Sequence, residues 1–213
     1  MKRALLITRP KYDDTTHYLF YWAGKVKETA EEKGVQVFNL DKKRASRKEV
    51  ESILDKQKPS LVFFNGHGNS DLITGQDGEV IIKAGDNEYL LREKIVYAFS
   101  CKSARELGLK SVENGVRAYL GYDDDFIFFY DPQKASRPLS DEIAGLFLEP
   151  SNQIVVSFLK GHSSIDAHIK TKSLFLRNIQ KILTSKPTER YLIPWLLWDM
   201  QHSVLVGDKT SRF

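Results

Sequence analysis

Three short, almost entirely apolar segments constrain the fold most strongly: LVFFN at 61–65, KIVYAFS at 94–100 and VRAYLGY at 116–122. Unbroken apolar runs are typical of parallel strands that are covered on both faces, whereas half-exposed strands alternate apolar with polar residues. Longer amphipathic stretches separate these runs along the chain. The alternation predicts an α/β fold, a three-layer sandwich with a mostly parallel central sheet.

The remaining elements are predicted from local start and stop signals. Ser46 followed three residues later by Glu49 is a capping-box pattern, so we expect a helix there that stops before Pro59. We expect three further strands at 4–8, 35–40 and 203–207, and a hairpin within 72–91. The other predicted helices are 14–33, 103–114 and a long helical region, 140–185, with a break near Pro150 or near Gly161.

Length and composition predict one globular domain over residues 1–213. The chain is 41% hydrophobic and 28% charged, and its net charge is only +4. Because the basic residues are mixed with acidic ones, we expect no nucleic-acid partner. The N-terminal apolar core is four residues long, and no run approaches the roughly 18 apolar residues of a membrane span. We therefore expect no membrane association and a cytoplasmic location.

Cys101 is the only cysteine, so neither an internal disulfide nor a zinc site built on cysteine pairs is available. The four histidines away from the apolar strand ends lack metal-like spacing, and we interpret them as structural: His17, His162, His168 and His202. We interpret the tryptophans as core residues: Trp22, Trp195 and Trp198. We expect no metal, and the chemistry considered below requires no organic cofactor.

Two of the apolar strands end in reactive side chains. The first runs into Gly66-His67-Gly68, and the second ends at Ser100-Cys101. Active sites of open α/β sheets lie at the carboxyl ends of the strands, and neighbouring strands are about 4.8 Å apart. A thiolate at the start of a helix and near an imidazole would act as a nucleophile, with His67 as general acid and base. The N–H groups of Gly68 and Cys101 would bind the oxyanion.

Two readings remain open for the acidic turn Asp123-Asp124-Asp125, which follows the third apolar run. The turn is either a solvated acidic loop or a negative pocket for a lysine or arginine side chain of a substrate. Asp71 is a weaker alternative for that role, or for orienting His67. A dinucleotide-binding loop is not supported, because Asp71 stands where the sixth position of G-x-G-x-x-G requires glycine.

The ordered pair LVFFNGHG and IVYAFSC resembles the caspase-like clan of cysteine peptidases, which includes caspases, gingipains and the CHAT domains. The stretch that follows Cys101 is similar to the CHAT and gingipain continuation, and the terminal SVLVGDKTS resembles a late strand of gingipain-like proteins. The resemblance covers about 60–130 and, more weakly, the last ten residues. The caspase signature around the cysteine is absent, which argues against cleavage after aspartate.

The resemblance implies a Cys–His dyad of Cys101 and His67, an oxyanion hole from Gly68 and Cys101, and a P1 pocket lined by Asp123 to Asp125. Our first hypothesis is therefore a cysteine endopeptidase that cleaves a polypeptide after Lys or Arg, with a regulatory protein as a further partner. The alternative is a catalytically latent caspase-like module that works through interactions. A large distance between sulfur and imidazole, or a buried thiol, would favour the alternative.

Overall fold

The computed structural model describes residues 3–213. Eight strands occur along the chain: β1 (Ala4–Arg9), β2 (Gln36–Asp41), β3 (Leu61–Asn65), β4 (Leu72–Thr74), β5 (Val80–Lys83), β6 (Ile95–Phe99), β7 (Ala118–Tyr122) and β8 (Ser203–Gly207). Six helices accompany them: α1 (Asp14–Glu32), α2 (Arg47–Lys56), α3 (Leu107–Glu113), α4 (Glu142–Leu159), α5 (Ser164–Ser185) and α6 (Ile193–His202).

The central sheet has the strand order β2-β1-β3-β6-β7-β8. Five strands are parallel, and β8 pairs with β7 in the antiparallel direction. All residues of β3, β6 and β7 are buried, as their unbroken apolar sequences require. The strands β4 and β5 form a separate hairpin that leaves the sheet after β3.

Helices cover both faces of the sheet. One core lies between the sheet and the helices α1 and α4, and a second lies under α2, α3 and the hairpin. A third apolar cluster joins α4 to α5 and α6 on the outside of the first layer. This arrangement confirms the predicted three-layer α/β sandwich with a mostly parallel sheet.

The prediction of a helix that begins beside Cys101 is wrong. Helix α3 begins only at Leu107, and turns occupy residues 101–106. Lys102 adopts a φ of 58°, in the left-handed region, which interrupts a right-handed helix. The N–H of Lys102 donates to Asp124 O at 3.0 Å, so this segment bonds to a neighbouring loop and not to a helical turn of its own. Cys101 therefore gains no stabilisation from a helix N-terminus.

The long helical region divides at Gly161, and α4 continues through Pro150. Gly161 has a φ of 81°, a conformation that glycine adopts at little cost at the end of a helix. Between residues 3 and 213, no helix is long and apolar enough to cross a membrane. Over the same residues, no group of three or more His, Cys, Asp or Glu side chains is placed to hold a metal ion.

Candidate active site

The ends of β3 and β6 bring the two predicted reactive loops side by side. The strands pair in register, with Asn65 opposite Phe99, and the N–H of Gly66 donates to Phe99 O at 3.3 Å. His67 and Cys101 each lie two residues past this last pair. A side chain at Gly68 would place its Cβ 2.8 Å from Leu72 O and 3.0 Å from the Cβ of Ser100. The loops are in such close contact that only glycine fits at position 68.

His67 is held by a carboxylate that the sequence analysis did not select. Its Nε2 lies 2.6 Å from Oδ2 of Asp13, and 42% of its side chain is exposed. Asp13 is the N-cap residue of α1, and its other oxygen, Oδ1, accepts hydrogen bonds of 2.7 Å from both the N–H and the hydroxyl of Thr16. The capping box thus fixes the carboxylate that orients the imidazole.

The electrostatics of Asp13 follow from these contacts. Partial burial by itself would raise the pKa of Asp13, but the hydrogen bonds from Thr16 and His67 outweigh that effect. The pKa therefore lies below its usual value, and the carboxylate stays charged beside the imidazole. Asp71, the weaker sequence-based alternative, lies 3.8 Å from the Nζ of Lys83 and does not take this role.

Sequence reasoning missed Asp13 because its signal is local whereas its contact is long-range. The pattern of Asp13 followed by Thr16 indicates a helix start, and the helix does begin there. Nothing in that pattern indicates that the second carboxylate oxygen reaches a histidine on another strand end. Position offers one usable signal, since Asp13 follows β1, the strand adjacent to β3 in the sheet.

The Cys101 thiol lies in a covered position. Its Sγ is 4.0 Å from the carbonyl oxygen of Phe126, and the side chain is half-buried. Burial raises the pKa of the thiol, and the nearby Asp125 carboxylate raises it further, while the Phe126 contact and the Lys102 ammonium oppose the rise. Across residues 3–213, no hydrogen bond joins Cys101 to His67. The thiol is therefore mainly protonated in this conformation.

The two predicted oxyanion donors have backbone N–H groups that are not used elsewhere. In the described part of the chain, neither the N–H of Gly68 nor that of Cys101 donates to a protein acceptor. The neighbouring donors of the His67 loop are engaged, since Asn69 N–H donates to Leu72 O and Thr74 N–H donates to His67 O. Both groups are therefore available to a substrate oxygen.

The three acidic residues after β7 are each paired within the protein. Their partners are His202 for Asp123, Arg105 for Asp124 and Lys102 for Asp125, all at 2.7 Å. The Asp125 N–H, followed by the Arg105, Lys102 and His202 charges, lowers the pKa of Asp124. The side chain of Asp125 is still 48% exposed. Asp123 is 43% exposed, but Asp125 is the exposed member whose carboxylate also acts on the Cys101 thiol.

Aromatic residues border this turn. The indole N–H of Trp198 donates to Asp125 O at 2.8 Å, and the Trp198 ring lies 4.2 Å from the ring of His202. The prediction that the tryptophans are core residues holds for Trp22 but is wrong for Trp195 and Trp198, which are more than a third exposed. The sequence-based interpretation failed because amphipathic helix α6 also presents these large side chains to solvent.

No protein-family model and no curated protein sequence matches this chain. Solved structures do match it. One is the complex of the pro- and mature domains of RgpB from Porphyromonas gingivalis, with a TM-score of 0.62 and 10% identity over 98% of this chain and 48% of that chain. Another is the Arg-specific cysteine proteinase gingipain R (RgpB), with a TM-score of 0.60 and 12% identity over 99% of this chain and 47% of that one.

Almost the entire chain is matched, but it spans only about half the length of each matched structure. At this level of identity the likeness concerns the fold. The strand order, the two helical layers and the loops after β3 and β6 give this chain the caspase-like fold of the gingipain cysteine peptidases.

Proposed function

We propose that this protein is a cysteine peptidase that uses Cys101 as its nucleophile and His67 as its general acid and base. The observation that carries the proposal is the Asp13–His67 pair, placed beside the Ser100–Cys101 loop at the carboxyl edge of a gingipain-like sheet. An oriented imidazole and a thiol at the ends of two neighbouring strands supply the two groups that covalent acyl transfer requires.

The reaction proceeds in two steps. In the first, His67 takes the proton of the Cys101 thiol, the resulting thiolate attacks the carbonyl carbon of the scissile amide, and the N–H groups of Gly68 and Cys101 bind the oxyanion. His67 donates a proton to the leaving amine nitrogen, and a thioester remains on Cys101. In the second step His67 takes a proton from water, the hydroxide attacks the thioester, and the carboxylic acid product leaves as the thiol is restored.

We propose specificity for lysine or arginine at P1, with Asp125 as the main acidic contact and Asp123 and Asp124 beside it. The exposure of Asp125 and its position next to Cys101 support this proposal. The Arg specificity in the name of the matched gingipain R supports it as well. A guanidinium or ammonium group would form charge-assisted hydrogen bonds with this carboxylate.

A regulatory protein partner is part of the proposal. One matched structure contains a pro-domain together with the mature domain, and the present chain covers only about half of that chain. A polypeptide is the proposed substrate, and a cytoplasmic location and a single domain remain predictions from the sequence.

The test is covalent labelling with an acyloxymethyl ketone that bears a lysine or arginine side chain. We expect the wild-type protein to be labelled at Cys101, and the Cys101→Ala and His67→Ala variants to lose labelling. A reagent of the same reactivity with norleucine, which is uncharged, serves as the specificity control. Equal labelling of wild type and His67→Ala would contradict the dyad, and equal labelling by both reagents would contradict the basic P1 preference.

A second candidate function is a catalytically latent interaction module. The covered Cys101 thiol, its raised pKa and the fully paired acidic turn favour this candidate. Labelling that is absent from the wild-type protein at all reagent concentrations, also in about 1 M salt that weakens ion pairs, while iodoacetamide modifies the same cysteine, would support the module and exclude the peptidase.

A further inference from the structure

Two oppositely charged segments lie against each other at Cys101. The segment 101–105, with the sequence CKSAR, contains Lys102 and Arg105, and the facing turn is Asp123-Asp124-Asp125. We refer to the first as the basic segment and to the second as the acidic turn.

Backbone and side-chain bonds join the basic segment to the acidic turn and to Tyr122, the residue before it. Lys102 Nζ lies 2.7 Å from Asp125 and 3.9 Å from Asp124, and a guanidinium nitrogen of Arg105 lies 2.7 Å from Asp124. The Nε of Arg105 donates to the carbonyl oxygen of Asp123. In the backbone, Lys102 N–H donates to Asp124 O and Ala104 N–H to Tyr122 O, both at 3.0 Å.

These bonds enclose the thiol. Cys101 immediately precedes the residue that is bonded to Asp124 and Asp125, and its Sγ faces the carbonyl oxygen of Phe126, the next residue of the facing loop. The thiol therefore lies in the crease between the basic segment and the loop that extends from the acidic turn. The sulfur is only partly exposed in this position, and a wider crease would give an electrophilic carbon atom better access to it.

The left-handed backbone at Lys102 supports the same interpretation. Its φ of 58° is uncommon for a residue with a side chain and requires compensation from surrounding contacts. The bonds to Asp124 and Asp125 are the contacts that Lys102 makes across the crease. Loss of those contacts would allow the basic segment to relax away from the acidic turn.

We propose that the basic segment is an autoinhibitory latch, in which Lys102 and Arg105 bind the acidic turn and keep the Cys101 thiol covered until they are displaced. In its consequence for catalysis this inference rests on the proposed function, because the latch would hold back the nucleophile and occupy the proposed P1 contact. The covering of the thiol can be tested without any substrate.

The experiment measures the rate at which iodoacetamide, a small neutral reagent, alkylates the full chain. Cys101 is the only cysteine, so the loss of free thiol, measured by thiol titration, reports this site alone. The variant is Lys102→Met combined with Asp125→Asn, which removes both charges together because they act on the thiol in opposite directions. Rates are compared at about pH 9, where the Lys102 ammonium keeps its charge, and each rate is divided by the thiolate fraction measured from ultraviolet absorbance, so that the quotient reports access.

The matched control is Lys110→Met combined with Glu106→Gln. This change removes another ammonium–carboxylate pair, of 2.9 Å, which does not involve the acidic turn. We expect the latch variant to be alkylated roughly fivefold faster than wild type, the change expected from removing one partly exposed ion pair, and the control to match wild type.

A second measurement uses the wild-type protein, so that the proposal can still be tested if the latch variant does not fold. Salt of about 1 M shortens the Debye length to about 3 Å, so it should weaken the latch and accelerate alkylation of wild type. A latch variant within about twofold of the control, or a folded wild type whose rate does not rise with salt, would overturn the proposal. Faster alkylation of the latch variant, together with a wild-type protein that cleaves no peptide even in the salt that accelerates its alkylation, would retain the latch and exclude the proposed function instead.

Discussion

The His67 loop and the Cys101 loop lie on neighbouring strand ends, but they differ in readiness for chemistry. The imidazole is partly exposed and is oriented by a carboxylate that the start of α1 holds in place. The thiol is half-buried, its pKa is raised by burial, and charged neighbours join the loops on either side of it. One half of the proposed site is thus preorganised and the other half is covered.

The difference shows how regulation can be located within an active site. A preorganised acid–base group needs little rearrangement before the reaction, because it already makes the hydrogen bonds that it would use in catalysis. A covered nucleophile is protected from other electrophiles and from oxidation until its cover moves.

The largest effect is expected from Asp13→Asn, which tests the preorganised side. Asparagine remains a good N-cap residue, so the free energy of unfolding should change by less than about 0.5 kcal/mol. The imidazole, however, loses its anionic partner, and kcat of the proposed peptide hydrolysis should fall at least about tenfold. Steady-state kinetics and urea unfolding measure the two quantities.

Asp71→Asn is the control for this prediction, because Asp71 pairs with Lys83 and not with His67. Its kcat should remain close to that of wild type. An equal loss in both variants would show that His67 does not depend on Asp13 in particular.

The second prediction concerns the contact between the two loops. In Gly68→Ala the added Cβ would lie 2.8 Å from Leu72 O and 3.0 Å from Ser100 Cβ, so one loop must shift. We expect a loss of about 1–3 kcal/mol in the free energy of unfolding, as for other overpacked sites. Gly78→Ala is a useful comparison, since its Cβ would meet no atom but its φ of 77° is strained. Both variants should lose stability. If crowding against the Ser100 loop matters at position 68, the alkylation rate of Cys101 should change in Gly68→Ala and stay the same in Gly78→Ala.

The third prediction concerns Asp199, which binds the loop that covers the Cys101 thiol. Asp199 is fully buried, one of its oxygens accepts the Ile127 N–H at 3.0 Å, and burial raises its pKa well above the usual value. The folded protein therefore keeps a proton that the unfolded chain releases above about pH 4. Stability should consequently fall as the pH rises from there towards the pKa of the folded state.

Asp199→Asn, which is neutral at every pH and keeps the acceptor, should remove this loss. The free energy of unfolding of the variant relative to wild type should increase by about 1.4 kcal/mol for each pH unit within that range. Urea unfolding at several pH values measures the difference. A constant difference between the two proteins would show that Asp199 is not protonated in the folded state.

The smallest effect is expected from Asp125→Asn on the ionisation of Cys101. The carboxylate raises the pKa of the thiol, so its removal should move the midpoint of the alkylation profile to lower pH. Asp123→Asn is the matched control, because that residue pairs with His202. A midpoint that moves equally in both variants would indicate a general effect of net charge and not the local contact.

Much of the fold could be predicted from local patterns. The apolar run of β3 and the Ser46 cap of α2 occur where the sequence predicts them, and the final strand occupies 203–207. These features depend on periodicity and capping within a few residues, which a single sequence displays directly. Active sites of α/β sheets lie at the carboxyl ends of the strands, which predicts that His67 and Cys101 lie at one edge of the sheet. In the structure both residues follow the ends of neighbouring parallel strands.

The partners of those residues could not be predicted in the same way. Asp13 and His67 are far apart in the sequence, and each belongs to a different crossover of the sheet. The pairs that join Lys102 and Arg105 to the acidic turn likewise connect two separate loops. Surface charges have many possible partners in an unfolded chain, and only the packed strands determine which of them meet.

The sequence by itself thus determined the layers, the order of the elements and the edge at which the reactive side chains lie, because apolar periodicity and helix caps act over short distances. Only the tertiary structure decided that the imidazole is oriented by Asp13 and that the thiol is covered by the basic segment. Hydrogen-bond and ion-pair energies depend on ångström-scale distances between groups that the chain brings together only when it folds.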